Sequence, residues 1–334
     1  MSVADQAREP AWAGLEPLET PMRPVGDAWA RRVRATIGRD GRIFTYQPGR
    51  QRPARFYRFR PSDGSPTLFL KTIPSDAVTA QLAGNDIAAW LATKGMAVSP
   101  LLHSYPRRLS SEYQLLAYRS IDARFTELTE QDLRTVGRHL AQMHNHLRNH
   151  PKARQVQDRS EKRDQVFEQL HARLADQLPT GIAQHLSTPS LPQGEAQVIH
   201  GDLNIGNLLF VRASDRLILL DFEDATHNWH NPLVDLAMAL ERLVLVRVDD
   251  DEQILRFGNS LVQGYLAGST NRLALEASAT SILQTLATRA QLLLGNSAAS
   301  ASSAAESEKF VFLYDLAERK RALLDTLWNT LDRR

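Results

Sequence analysis

Apolar and polar residues alternate in three short runs between Arg42 and Ile73: RIFTYQ at 42–47, ARFYRFR at 54–60 and TLFLKTI at 67–73. A two-residue period is that of half-buried strands, and PSDGSP with its Asp63-Gly64 turn dipeptide separates the last two runs. The pattern therefore predicts a three-stranded meander. Ser75 and Asp76 stand where they can cap a helix running to about Lys94 and closed by Gly95, with Val78, Leu82, Ile87, Trp90 and Leu91 supplying its apolar surface. Two further strand-like runs follow, VSPLLHSY at 98–105 and EYQLLAYR at 112–119.

After Ile121 the period lengthens. In TEQDLRTVGRHLAQMHNHL, residues 129–147, the apolar positions Leu133, Val136, Leu140, Met143 and Leu147 recur at three or four, a helical spacing. A second, polar and basic helical stretch covers about 157–187, broken by SLPQGEA before the short apolar run QVIH. NLLFVRASDRLILLDFE, 207–223, predicts a hairpin around Ser214-Asp215. From Pro232 onward the chain is mainly helical, with the small-residue stretch SAASASSAAESE at 297–308 expected as a loop. Residues 1–25, rich in Pro, Ala and Glu without a sustained period, form a loosely ordered arm in this scheme. The expected organisation is thus an α+β, bilobal chain: a β-rich lobe over 26–121 and a helical lobe over 122–334 with one embedded hairpin.

Composition narrows the function classes. With 43% apolar and 23% charged residues the chain falls in the ordinary globular range. A formal charge of +2, from 40 basic against 38 acidic side chains, gives no reason to expect nucleic acid or a membrane surface as partner. Cysteine is absent, which excludes thiolate nucleophiles, cysteine-ligated metals and disulfides. The first residues lack the basic start and apolar run of a secretion signal, and no segment approaches about 18 uninterrupted apolar residues, so a cytoplasmic protein is expected. Nothing in the pattern speaks to oligomeric state.

The chemistry concentrates in HGDLNIGN, residues 200–207, and in Asp221-Phe222-Glu223 at the end of the expected hairpin. Phosphoryl transfer needs a group to accept the hydroxyl proton, metal ligands and a cation over the phosphates. Asp202 precedes Asn207 by five residues, the separation found in kinase catalytic loops, and Asp221 closes an apolar run as a metal-binding Asp does. Asp and Asn near turns also serve simply as caps, so the constellation, not any one residue, carries the expectation.

These residues resemble the aminoglycoside phosphotransferase and choline kinase family, whose hallmark is HGDxxxxN followed by an apolar strand ending in D[FW]. The resemblance is densest over 198–245 and implies a protein-kinase-like fold and a small-molecule kinase. It implies Asp202 as catalytic base, His200 bracing the loop, Asn207 and Asp221 holding Mg²⁺, and Lys71 meeting the phosphates of ATP or GTP. It also implies that Asp235, in PLVDLAMAL, is a buried acid that steadies the catalytic loop.

The chain departs from that family in two places. The first N-lobe helix has no Glu to pair with Lys71, leaving Asp86 as the expected partner, with Asp76 the other acid of the segment. The phosphate-covering turn at 46–54 has one glycine, Gly49, beside Arg50 and Arg52. For the hydroxyl acceptor two traces compete. Asp249, Asp250, Asp251 and Glu252 would suit a polycationic aminoglycoside, whereas Trp229, Phe257, Tyr265 and Trp328 would suit a quaternary ammonium. A charge block is more often solvated, and aromatics at helical spacing are more often core. His227 and His230 lack the spacing and partners of a zinc site and are expected to pack a loop, while His144 and His146 are expected at a surface or between lobes. A nucleotide-binding module acting through partners is the alternative function. A protein kinase is disfavoured because the chain reaches Pro232 within eleven residues of Asp221, leaving little room for an activation segment.

Overall fold

The computed structural model describes residues 23–24, 27–45, 56–102, 105–174, 176, 178, 191–270, 275–296 and 301–333. In chain order its elements begin with β1 (Arg23–Pro24), α1 (Asp27–Ile37), β2 (Gly41–Thr45), β3 (Phe56–Pro61), β4 (Leu68–Pro74), α2 (Val78–Thr93), β5 (Arg107–Arg108), β6 (Tyr113–Arg119) and β7 (Ala123–Phe125). There follow α3 (Glu130–Leu147), α4 (Ala153–Leu174), β8 (Gln197–Val198), β9 (Leu208–Val211), β10 (Arg216–Leu219) and β11 (Trp229–His230). The last helices are α5 (Leu233–Leu240), α6 (Asp251–Gly268), α7 (Ala279–Asn296), α8 (Ala301–Arg319) and α9 (Arg321–Trp328). The architecture is α+β. No helix among the described residues is long and apolar enough to cross a membrane.

One compact unit holds the described residues up to Phe125 together with Asn207–Glu223. Its sheet has the order β1-β2-β3-β4-β6-β5, and the β2-β3-β4 meander is antiparallel. The two-residue period decides the faces. Ile43, Tyr57, Phe59, Leu68 and Leu70 are buried with Ala30, Val33 and Ile37 of α1, which follow one another at helical spacing. The opposite face of β4 carries Phe69, Lys71 and Ile73, where Ile73, Leu116 and Tyr118 form a smaller cluster with Val78 of α2. The β9–β10 hairpin lies among helical sequences along the chain but clusters with this sheet unit. β7 pairs with β9, and Val98 bridges to Leu219.

The other unit, Thr126–Gly206 with Asp224–Arg334, is helical. Its centre is the packing of α3 on α6, which the side-chain-free surfaces of two glycines permit. A Cβ at Gly137 would lie 2.0 Å from the Leu261 carbonyl oxygen, and one at Gly264 would lie 2.1 Å from that of Arg134. Thr129 starts α3 by accepting from the Asp132 amide at 3.1 Å, which satisfies one of the free amides of the first turn.

Several expectations change. Neither Ser75 nor Asp76 caps α2, whose N-cap is Ala77 without a side-chain bond; the Ser75 hydroxyl instead donates to the Ser111 carbonyl. VSPLLHSY forms no strand among its described residues beyond the Val98 bridge, since Pro100 has no amide to give a ladder. The stretch expected as a loop at 297–308 is helical from Ala301, because alanine-rich sequence favours helix when a neighbour covers it. Of the basic helix expected at 157–187, the described part starts earlier, at Ala153, and runs to Leu174.

Candidate functional site

Lys71 sits on β4 opposite Phe56 and Leu116, with its side chain largely buried. Its ammonium lies 3.1 Å and 3.3 Å from the two carboxylate oxygens of Asp221 and 3.5 Å from Glu223 Oε2. The pair expected with Asp86 gives way to these two. Asp86 is exposed on α2, one residue past Asn85, so the helical turn of about 100° per residue carries it off the inward stripe of Gln81, Gly84 and Ala88. At Gly84 the helix comes directly against the backbone of Phe222 and Glu223. A Cβ there would stand 2.7 Å from the Phe222 carbonyl oxygen and 2.8 Å from Glu223 N. No acidic side chain fits at that point of the helix, and Glu223 supplies the second carboxylate from the other side of the contact.

Asn85 donates to the Gln81 carbonyl at 2.9 Å and to the Tyr118 hydroxyl at 3.2 Å. Burial pushes the Tyr118 phenol up to about 12, a rise that the Asn85 bond opposes and the charges of Asp221 and Glu223 reinforce. Tyr118 thus stays a neutral hydroxyl beside the acidic pair. Asp221 itself has φ 57°, a left-handed backbone that a residue other than glycine adopts at some cost. The antiparallel register pairs Leu208 with Leu219, and Leu220 N donates to the Asn207 carbonyl at 3.0 Å. Asn207 and Asp221 therefore meet at the open end of one hairpin.

In the helical unit the loop His200–Asn204 is organised by its backbone. The His200 amide donates to Asp235 Oδ2 at 2.7 Å and the Gly201 amide to Asp235 Oδ1 at 2.8 Å. Gly201 has φ 80° and a Cβ there would strike the Asn228 amide nitrogen at 2.1 Å, so only glycine fits. His200, fully buried, accepts from the Asp202 amide through Nδ1 at 3.3 Å. The half-buried Asp202 carboxylate accepts from Asn204 Nδ2 at 3.0 Å. Burial pushes the Asp235 carboxyl up, but the hydrogen bond and charge of His144, the charge of His200 and the Gly201 amide outweigh it and hold it below the usual carboxylate range.

His144, expected at a surface or between lobes, is buried and joins this arrangement. Its Nε2 lies 3.0 Å from Asp235 Oδ2 and its Nδ1 2.8 Å from the Tyr265 hydroxyl. The signal was present in the sequence: position 144 falls on the apolar stripe of Leu140 and Leu147, where a polar residue needs a buried partner.

Parts of both acceptor traces are otherwise employed. Asp250 caps α6 by accepting from the Gln253 amide, and Asp251 pairs with Lys320 at 2.7 Å. Phe257, Tyr265 and Trp328 are core residues, with the Trp328 indole donating to the Ala277 carbonyl. His230 is buried and bonded to Gln193 and Ser160, His227 pairs with Asp224 at 3.1 Å, and no group of three metal-ligating side chains occurs among the described residues. The turn carrying Gly49, Arg50 and Arg52 lies outside the described residues.

Comparison with known proteins adds the family. No curated protein matches the sequence. Among solved structures the chain is similar to amicoumacin kinase hAmiN in complex with AMP-PNP, Ca²⁺ and Ami, at 16% identity over 89% of this chain and 88% of that one, with a TM-score of 0.53. It is similar to spectinomycin phosphotransferase APH(9)-Ia in complex with ADP and spectinomycin, at 14% identity, 89% and 98% coverage and a TM-score of 0.54. The microcompartment-associated aminopropanol kinase matches at 17% identity, 89% and 98% coverage and a TM-score of 0.52. At these identities the likeness is one of fold. The sequence pattern of the phosphotransferase enzyme family matches residues 47–272, and with more than half of its length inside that pattern the chain belongs to this family.

Proposed function

We propose that the protein transfers the γ-phosphate of ATP, or GTP, to a hydroxyl of a small molecule, an amino alcohol, aminoglycoside or sugar-like acceptor. The observation that carries this assignment is the clamping of the His200 and Gly201 amides on the buried Asp235 carboxylate, which fixes the loop bearing Asp202. A base on a fixed loop accepts a proton from one direction, and such positioning is most of what a protein contributes to phosphoryl transfer. In this scheme Asp202 takes the hydroxyl proton, His200 braces its amide, and Lys71 orients the phosphates.

The hairpin end fits a divalent cation. Asn207 and Asp221 offer hard oxygen donors and too few of them for an all-protein cage, the situation in which Mg²⁺ completes its shell with water and nucleotide phosphate oxygens. Bound there, Mg²⁺ would neutralise phosphate charge. Glu223 and Asp221 hold the Lys71 ammonium in one place, so the lack of a helix glutamate no longer favours a module that only binds nucleotide. Amine-bearing alcohols are the acceptors to try first, because similar folds include an aminopropanol kinase and a spectinomycin phosphotransferase. A cytoplasmic setting, where nucleoside triphosphate is abundant, suits this chemistry.

The test is consumption of ATP and GTP by purified protein with Mg²⁺ across amino alcohols, aminoglycosides, sugars and nucleosides, with Asp202→Ala as control. Acceptor-dependent turnover lost in the variant supports the assignment; no acceptor-dependent turnover with either nucleotide overturns it.

A further inference from the structure

Behind the Asp202 loop, on the far side of Asp235, lies a buried polar chain that kinase chemistry leaves without a task. Asp235 is fully buried and accepts three hydrogen bonds, from His200 N, Gly201 N and His144. A carboxylate only accepts, so His144 presents Nε2–H to it, while its Nδ1 lies within hydrogen-bond distance of the Tyr265 hydroxyl at 2.8 Å. The imidazole and phenol rings meet edge to face at 5.7 Å between centroids. That contact exists because Gly137 and Gly264 let α3 and α6 close to backbone distance.

We propose that His144 and Tyr265 are positioning residues for the transfer: the Tyr265 hydroxyl fixes the His144 ring, His144 fixes Asp235, and Asp235 fixes the loop on which Asp202 stands. The proposal rests on the assignment of Asp202 as base. Its physical content is orientation. A buried carboxylate that loses its side-chain donor can rotate or take up a proton, and a protonated carboxyl no longer accepts at both oxygens from the His200 and Gly201 amides. Burial of Tyr265 and the neighbouring charge of Asp235 both push its phenol up, so the hydroxyl remains a donor. Side chains locked by such supporting bonds hold reacting groups to the tolerance that catalysis requires.

The experiment compares Tyr265→Phe, His144→Ala and His144→Gln with the wild-type protein, reading kcat and KM for Mg-ATP consumption together with hydrogen exchange of the His200 and Gly201 amides. Loss of one hydrogen bond to a charged group corresponds to a fall of about 10- to 100-fold. His144→Ala is expected to lose about that much in kcat, with nucleotide KM within about twofold, and to exchange faster at both amides. Tyr265→Phe, which keeps the packing, should lose a smaller part, and His144→Gln should recover activity because its amide can still donate to Asp235. Wild-type kcat in Tyr265→Phe and His144→Ala, or unchanged amide protection in both, overturns the proposal. If His144→Ala does not fold, Tyr265→Phe decides. Should the wild-type protein consume no nucleotide, the assignment of Asp202 fails and the exchange measurement still decides whether the chain of bonds fixes the loop.

Discussion

The Lys71 ammonium lies 3.5 Å from Glu223, a carboxylate two residues beyond Asp221 on the same segment, and the two acids approach the lysine together. Glu223 thus pairs with Lys71 in a chain whose first N-lobe helix carries no glutamate. The expected outcome is coupling: Glu223→Gln and Lys71→Ala should be non-additive in kcat/KM, by about 0.5–1 kcal/mol, because Glu223 is half-exposed and such pairs are screened. Asp86→Ala should not couple to Lys71→Ala. Double-mutant cycles on both pairs check this, and coupling of Lys71 to Asp86 instead would count against it.

Gly84 makes that arrangement possible. Any side chain there drives α2 away from Phe222 and Glu223, since the nearest obstacles are backbone atoms that cannot rotate aside. Gly84→Ala should cost about 1–3 kcal/mol of stability by overpacking, measured as a lower urea midpoint. It should also weaken nucleotide binding, as the Glu223 carboxylate moves from Lys71. An Ala variant as stable as the parent would show that the helix has room to shift.

On the proposed roles, Asp202 and Asp221 should separate chemistry from binding. Asp202→Ala should leave nucleotide affinity near normal and reduce turnover about 10²- to 10⁴-fold, the usual weight of a positioned base. Asp221→Asn should weaken nucleotide binding more with Mg²⁺ than without it, as titration calorimetry under the two conditions would reveal. Equal losses would remove Asp221 from the metal.

What the sequence made legible was local. Asp202, Asn207 and Asp221 could be singled out because a loop and a two-stranded hairpin keep their members within about twenty residues, and the meander followed from a period of two. Glu223 at Lys71 was not legible, since it depends on how α2 packs against a segment more than 130 residues away, decided by the absence of a side chain at Gly84. His144 was misjudged for a related reason: its partners Asp235 and Tyr265 are brought to it only by the α3–α6 contact. The helix over 301–308 was missed because small residues have low hydrophobicity but high helical propensity, so a neighbour decides their state.

Acid stability should reveal a buried neutral histidine on β11, beside β8. His230 pairs with Gln197 across β11 and β8, just before the His200 loop, and its Nδ1 accepts from the Gln193 amide at 3.1 Å. Burial, followed by the charges of Arg289 and Arg163, brings its imidazole down to about 3; Asp235 opposes this weakly and His227 adds to it. An unfolded histidine titrates near 6.5, so below that pH the unfolded chain takes up a proton that the folded one refuses. The stability this group contributes is thus complete above about pH 6.5 and falls as pH drops toward 3, at up to about 1.4 kcal/mol per unit. Asp235 and Asp224, both held below the ordinary carboxylate range, contribute stability that is lost only at lower pH, whereas Glu241 and Asp164, pushed up by burial, oppose the His230 slope equally in the parent and in a His230 variant. Urea unfolding at pH 7, 6, 5 and 4 should show that slope in the parent protein and a flatter one in His230→Gln, whose amide keeps polar contacts without titrating. Equal slopes in the two proteins would mean that His230 takes up its proton in the folded state, breaking its bond from Gln193 without loss of the β8–β11 pair.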